Sequence, residues 1–182
     1  LLLLPLSELV KNLIDMLVLT FLRPAHVPRM ELKNGVPPEG RTVCVISALL
    51  TDEGRGPVLA RRLEEFRLAS RDWGENLLFG VLADLPDADS ETSQADAGRI
   101  DALKAAVDAL NRKYDGGFFF FIRPRRFCRA DGRYMAWERK RGAVSELAAL
   151  LSGRKSSVEV PSGSLLALRG VRYILTLDED TR

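Results

Sequence analysis

The sequence has little sulfur and almost no imidazole: 182 residues include two cysteines, Cys44 and Cys128, and one histidine, His26. Two thiols so far apart build neither a disulfide scaffold nor a cysteine-rich zinc site, and they fit a reduced compartment. The histidine sits among prolines, in Pro24-Ala25-His26-Val27-Pro28, so no Ser–His or Cys–His catalytic pair is expected. Charge of one sign is lacking too. Twenty-seven Lys and Arg against 25 Asp and Glu leave +2, too small an excess to face a phosphate backbone, and no nucleic-acid partner is expected. No G-x-G-x-x-G follows an apolar run and no G-x-x-x-x-G-K-[ST] occurs, which disfavours a Rossmann dehydrogenase and a P-loop NTPase. With 46% hydrophobic and 29% charged residues, and ordinary counts of 14 Gly and 9 Pro, the chain is neither collagen-like nor wholly disordered and has the length of one domain.

A long uncharged apolar run is also missing. The sequence opens on Leu1-Leu2-Leu3-Leu4 without Met and stops at Arg182, and both ends read as cuts through a longer protein, with Leu1 to Leu6 the last turns of a membrane helix. Beyond it, Leu6, Leu9, Val10, Leu13, Ile14, Leu17, Val18 and Phe21 recur at steps of three and four and share one helical face. Glu8, Lys11, Asn12 and Asp15 lie opposite and make this stretch too polar to span a bilayer. A helix lying on a membrane surface and a helix packing on a core are equally open. Arg23-Pro24 and Val27-Pro28-Arg29 end the helix and start an extended linker, and Arg23, Arg29 and Lys33 suit the cytoplasmic side of a bilayer. The expected organisation is a membrane-proximal helix over 1–23, a linker over 24–41 and an α/β domain over 42–182.

That domain alternates strand and helix. Thr42 to Leu50, Leu77 to Asp84 and Phe118 to Ile122 are apolar runs of the kind buried on both sheet faces, and Val171 to Leu177 is a fourth strand. Pro57 to Ser70, Thr92 to Tyr114 and Ala143 to Leu151 carry helical spacing between them. Alternation requires crossover connections, hence an α/β fold with a mostly parallel sheet and helices on both faces. Gly153 to Gly163 reads as a mobile loop or an edge hairpin.

In such a sheet ligands bind beyond the carboxyl ends of the strands. Two acidic segments stand there, Asp84-Leu85-Pro86-Asp87-Ala88-Asp89 and Asp178-Glu179-Asp180, and they repel unless something cationic lies between. Carboxylates at i and i+2, Asp178 and Asp180, can hold Mg²⁺ or Mn²⁺ with positions left for phosphate oxygens, although a solvated acidic loop is an equal reading. Arg123 to Lys155 holds ten Lys and Arg against three Asp and Glu, and Lys140-Arg141-Gly142 runs into a helix start, a setting for a diphosphate as well as for a plain charged cap. A stacking surface for nucleic acid from Arg125, Arg126 and Arg129 near Phe127, Tyr134 and Trp137 is disfavoured because the rest of the chain offsets the charge. Cys44, inside a strand, is expected to be core packing.

The segments PRMELKNGVPPEGRTVCVISALLTDEG, LLFGVLADLPDADSET, FFFFIRPRRFCRADGRYMAWERKRGAVSEL and VRYILTLDEDT resemble the glycosyltransferase region of cyclic β-1,2-glucan synthases, over about residues 24–182. The resemblance implies the nucleotide-binding half of an inverting, cellulose-synthase-like GT-A fold. It implies that Asp84 hydrogen-bonds the uracil of UDP-glucose and that Thr51 flanks the uridine. It further implies that Lys140 lies by the diphosphate and that Asp178 and Asp180 hold the Mg²⁺ or Mn²⁺ bridging the phosphates. By the same resemblance, the general base and the acceptor-binding half with its growing glucan lie beyond Arg182. The domain would stand on the cytoplasmic side of the inner membrane, attached through the N-terminal segment. The isolated chain would at most bind UDP-glucose weakly with metal and would not polymerise glucose. A non-catalytic scaffold module and a nucleotidyltransferase are the competing readings.

Overall fold

A computed structural model describes residues 3–22, 32 and 34–179. Contacts divide the chain into two units, residues 1–31 and 32–182. In the first, the amphipathic spacing produces helix α1, Leu3–Phe21, with a Lys11–Asp15 ion pair of 3.7 Å one turn apart. No helix among the described residues is long and apolar enough to cross a membrane. Residues 24–31 and 33 of the expected linker, His26 among them, and Asp180 lie outside the described residues.

The second unit is the expected α/β sheet. Strands β1 (Thr42–Leu49), β2 (Leu77–Asp84), β3 (Phe118–Arg123) and β7 (Tyr173–Leu177) run parallel. Edge strand β6 (Glu159–Ser162) joins β3 antiparallel, and the order across the sheet is β6-β3-β2-β1-β7. The segment expected as a loop or hairpin thus supplies a single edge strand; its Ser162 is buried and accepts from Asn111, so it is anchored rather than free.

Period-two alternation sorts the apolar side chains to two faces. Cys44, Ile46, Phe79, Val81, Phe118 and Phe120 meet helices α2 (Arg55–Ala69) and α3 (Gln94–Tyr114) on one side. Val43, Val45, Leu78, Leu82, Phe119 and Phe121 meet helix α4 (Arg139–Leu151) on the other. Phe118 to Phe121 are each at most 1% exposed. Burial of one such ring stabilises the fold by roughly 1.5–3 kcal/mol, which is why this run is the thickest part of the core. Helices α2 and α3 cross closely at Gly56, where a Cβ would stand 2.7 Å from the Leu103 amide nitrogen. Ser93 and Asp96 form a capping box that starts α3, with the Ser93 N–H donating to Asp96 Oδ2 at 2.7 Å.

Two features were not legible in the periodicity. A short hairpin, β4 (Arg126–Cys128) and β5 (Arg133–Met135), is too brief and too polar to show a strand pattern. Helix α4 begins at Arg139, four residues ahead of the expected Ala143, because its first turn carries charged side chains that give no apolar period. Lys140 therefore belongs to the first turn of α4 rather than to the loop before it.

Candidate functional site

Strands β1, β2 and β3 are laid down in order across the sheet, and β7 then returns to the far side of β1. That reversal is a switch point, and sheets of this kind bind ligands in the crevice beyond the carboxyl ends of the strands on either side of it, here β1 and β7. Asp84, Asp87, Asp178 and Glu179 stand at this edge of the sheet, each facing a cation.

Asp84 closes β2 and is buried. Arg123, the last residue of the neighbouring β3, donates to it through Nε at 2.8 Å and Nη2 at 2.7 Å, a bidentate pair. The same guanidinium donates to the carbonyls of Trp137 at 3.0 Å and Arg139 at 2.8 Å. Arg123 thereby ties the end of β2 to the start of α4. Arg139 reaches both oxygens of Asp87 at 3.1 Å. Lys140 Nζ meets Asp178 Oδ1 directly beyond the end of β7. The repulsion expected between the two acidic segments is met by Arg123, Arg139 and Lys140.

The backbone at this junction is strained. Glu138 and Arg139 have φ of 47° and 39°, the left-handed region that costs a non-glycine residue of order 1–3 kcal/mol. Gly142 explains how the turn closes. A Cβ there would overlap the Trp137 carbonyl oxygen and stand 2.8 Å from Arg123 Nη1, so glycine is what admits the carbonyl that Arg123 holds.

Asp178 and Glu179, after β7, turn to two sides. Glu179 turns to α2, where Arg55 Nη2 donates to its Oε2 at 2.5 Å, while Asp178 faces Lys140 of α4. Among the described residues no group of three or more His, Cys, Asp and Glu gathers to hold a metal. Asp178 is 65% exposed beyond the end of β7. Thr51 follows the end of β1 and is exposed, its hydroxyl donating to Asp52 Oδ2 at 2.8 Å. Leu50 N–H donates to the Asp84 carbonyl at 2.9 Å, so the β1 and β2 ends stay in register up to this point.

The loop after β2 is braced from below. Arg125 is buried, its Nη1 and Nη2 on Asp96 at 2.6 and 2.9 Å, and it also donates to the Pro86 and Glu91 carbonyls. The Arg125 hydrogen bonds, aided by the Ser93 N–H, hold the Asp96 carboxyl below the usual carboxylate range against the upward push of burial. This removes Arg125 from any nucleic-acid stacking surface. Ala88 pairs with Tyr134 of β5, N–H to carbonyl in both directions at 3.0 and 2.9 Å, so the hairpin supports the same loop. Arg123, Arg125 and Arg139 organise these carboxylates, a role the sequence reading gave to none of them: Arg123 ends β3, Arg125 follows two residues later and Arg139 opens α4.

No family model matches the chain. It is 34% identical over 183 residues to the cyclic beta-(1,2)-glucan synthase NdvB of Rhizobium meliloti (strain 1021), a match covering 98% of this chain. The chain spans about 6% of the length of that relative. By sequence, then, the chain is homologous to one segment of a cyclic β-(1,2)-glucan synthase, in agreement with the resemblance of its four segments.

Proposed function

We propose that the chain is the donor-binding part of an inverting, UDP-glucose-dependent glucosyltransferase that makes β-1,2-glucan. The observation that carries this reading is the meeting of Lys140 and Asp178, two residues from separate segments, at the crevice beside β1. A sugar nucleotide brings two adjoining phosphates. Lys140 and the first-turn N–H groups of α4 suit that charge, since a helix N-terminus carries about half a positive charge. Lys140 would pass from Asp178 to a phosphate oxygen as the donor enters. Asp84, held rigidly by Arg123, retains lone pairs for a uracil N–H, and Thr51 stands at the adjoining strand end to flank the uridine.

Asp178 and Asp180 are the residues that would hold Mg²⁺ or Mn²⁺. The hard oxygen donors fit such an ion, which when bound would neutralise charge on the departing diphosphate. Deprotonation of the acceptor hydroxyl needs a base that we assign to the larger protein, together with the acceptor-binding half. On this reading the 182-residue chain binds the donor without polymerising glucose. The amphipathic N-terminal helix would lie on the cytoplasmic face of the inner membrane.

The test is a melting-temperature shift by UDP-glucose with Mn²⁺ or Mg²⁺. We expect a saturable rise that needs the ion and disappears in Asp178→Asn, Asp180→Asn and Lys140→Met. Lys140 and Asp178 are 47% and 65% exposed, so their pair contributes about 0–1 kcal/mol and these variants should fold normally. A stronger response to nucleoside triphosphates would favour a nucleotidyltransferase, and no nucleotide response from the folded chain would favour a scaffold module. Steady incorporation of glucose into glucan by the chain alone would overturn the division of labour.

A further inference from the structure

A cavity of about 600 Å³ lies between the β4–β5 hairpin, α4 and the segment before β6, apart from the Lys140–Asp178 crevice. Its size falls within the range of small-molecule sites, roughly 300–1,000 Å³. Phe127 and Trp137 line it and are 56% and 60% exposed, in a unit that buries the phenylalanines of β2 and β3 completely. Tyr134 holds the Phe127 ring from behind, at 5.3 Å between centroids and 59° between planes. The aromatic faces are thus presented to solvent by a hairpin that could have turned them inward.

The charges around the cavity decide what it can accept. Arg123, Arg126 and Arg129 are balanced by Asp131, Glu138 and Glu146. A phosphate or polyanion gains nothing from such a wall and is repelled by the carboxylates. A neutral ligand rich in hydroxyls finds both donors and acceptors, and its apolar ring faces find flat aromatic surface. Arg123 is occupied by Asp84 and two carbonyls, and Glu146 accepts from the Ser157 N–H at 2.7 Å, so these two shape the wall. Glu138 pairs with Arg141 at 3.3 Å and Asp131 accepts from the Cys128 thiol at 3.1 Å, and these two exposed carboxylates, with the exposed Arg126 and Arg129, face a ligand.

We infer that this cavity is a carbohydrate subsite that takes a segment of neutral glucan, with pyranose rings against Trp137 and Phe127. The class of ligand follows from the balanced charge and the aromatic faces; its identity as glucan rests on the transferase reading above. The subsite is tied to the donor site through Arg123, which lines the cavity and grips Asp84. The Trp137 carbonyl accepts from the guanidinium that grips Asp84, and Trp137 is three residues ahead of Lys140. Glucan seated there would be a stretch away from the reacting end, whose acceptor site stays with the larger protein.

Trp73 is the second tryptophan, so the 182-residue chain carrying Trp73→Phe reports on Trp137 by fluorescence. Titration with a linear β-1,2-gluco-oligosaccharide should shift Trp137 emission saturably. Phe127→Ala and the exposed Arg129→Ala should each weaken binding at least tenfold, with circular dichroism and the UDP-glucose melting shift unchanged. Oligosaccharide binding without any UDP-glucose response would uphold the subsite while removing the donor reading. A UDP-glucose response with no effect of oligosaccharide on Trp137 would overturn the subsite alone. Displacement of the sugar by inorganic phosphate or UMP would also overturn it, by marking the cavity as an anion site.

Discussion

Arg123 and Asp84 form a bidentate ion pair whose side chains are only 4% and 8% exposed, at the adjoining ends of two parallel strands. Removing one member leaves the other charge buried and unpaired, a loss of about 3–5 kcal/mol in comparable buried pairs. Asp84→Ala should therefore lower the denaturant midpoint severely, and Asp84→Asn less, because its amide oxygen still accepts one hydrogen bond. Urea unfolding followed by circular dichroism checks this. An Asp84→Ala chain as stable as wild type would show that the pair is not formed in solution. Lost UDP-glucose binding in Asp84 variants is meaningful only beside such a measurement, since Arg123 also carries the start of α4.

Gly142 yields the second prediction. Its Cβ has no room because the Trp137 carbonyl occupies that space while accepting from Arg123. Overpacking of this kind typically costs about 1–3 kcal/mol, and here it also displaces the hydrogen bond that orients the α4 entrance. Gly142→Ala should lose stability and donor binding together, read as a lower melting temperature and a smaller UDP-glucose shift. Full donor binding by the alanine variant would mean that the entrance of α4 does not depend on Arg123.

The three inner strands were legible because each buries two faces and so becomes a continuous apolar run, as Thr42–Leu49, Leu77–Asp84 and Phe118–Arg123 do. Edge strand β7 was legible from its apolar sequence although Tyr173 and Leu175 are exposed. The carboxylates at the sheet edge were legible by position, since they follow those runs directly. The cations that organise them were not. Arg123 and Arg125 lie in a sequence crowded with arginine, where nothing local separates a buried guanidinium from a solvated one. Only the pairing of β3 beside β2 brings Arg123 to Asp84, and only the capping box at Ser93 turns Asp96 inward to Arg125. The β4–β5 hairpin escaped for a related reason: its order comes from Ala88 pairing across to Tyr134 rather than from its own sequence.

Asp96 gives a pH dependence with a definite sign. Arg125 lowers its folded pKa, as Lys104 does for Asp108 and the Ser157 N–H does for Glu146. A carboxylate with a depressed folded pKa contributes stability in full above its unfolded value, about 3.9 for Asp, and that contribution disappears as pH falls through the folded value. The wild-type chain should hold its stability down to about pH 4 and lose it progressively below. Asp96→Asn should be less stable at neutral pH and lose less on acidification. Urea midpoints measured between pH 7 and pH 2 test this, and parallel curves for the two proteins would refute the role given to Asp96.

The two cysteines should report on the core without any mutation. Cys44 lies in β1, paired on one side with β2 and on the other with β7, and burial pushes its thiol up to about 11. The thiolate is the reactive form, so at pH 8 Cys44 is shielded both by its protonation and by the sheet around it. Cys128 sits in the surface hairpin, partly exposed, with its thiol against Asp131 at 3.1 Å. A thiol reagent should therefore modify one equivalent quickly and the second only as the sheet opens, with peptide mapping assigning the fast site to Cys128. Raising urea should accelerate the slow phase in step with unfolding measured by circular dichroism, because a central strand opens only with the whole sheet. Equal rates at both cysteines in native buffer would show that β1 is not a closed interior strand of this sheet.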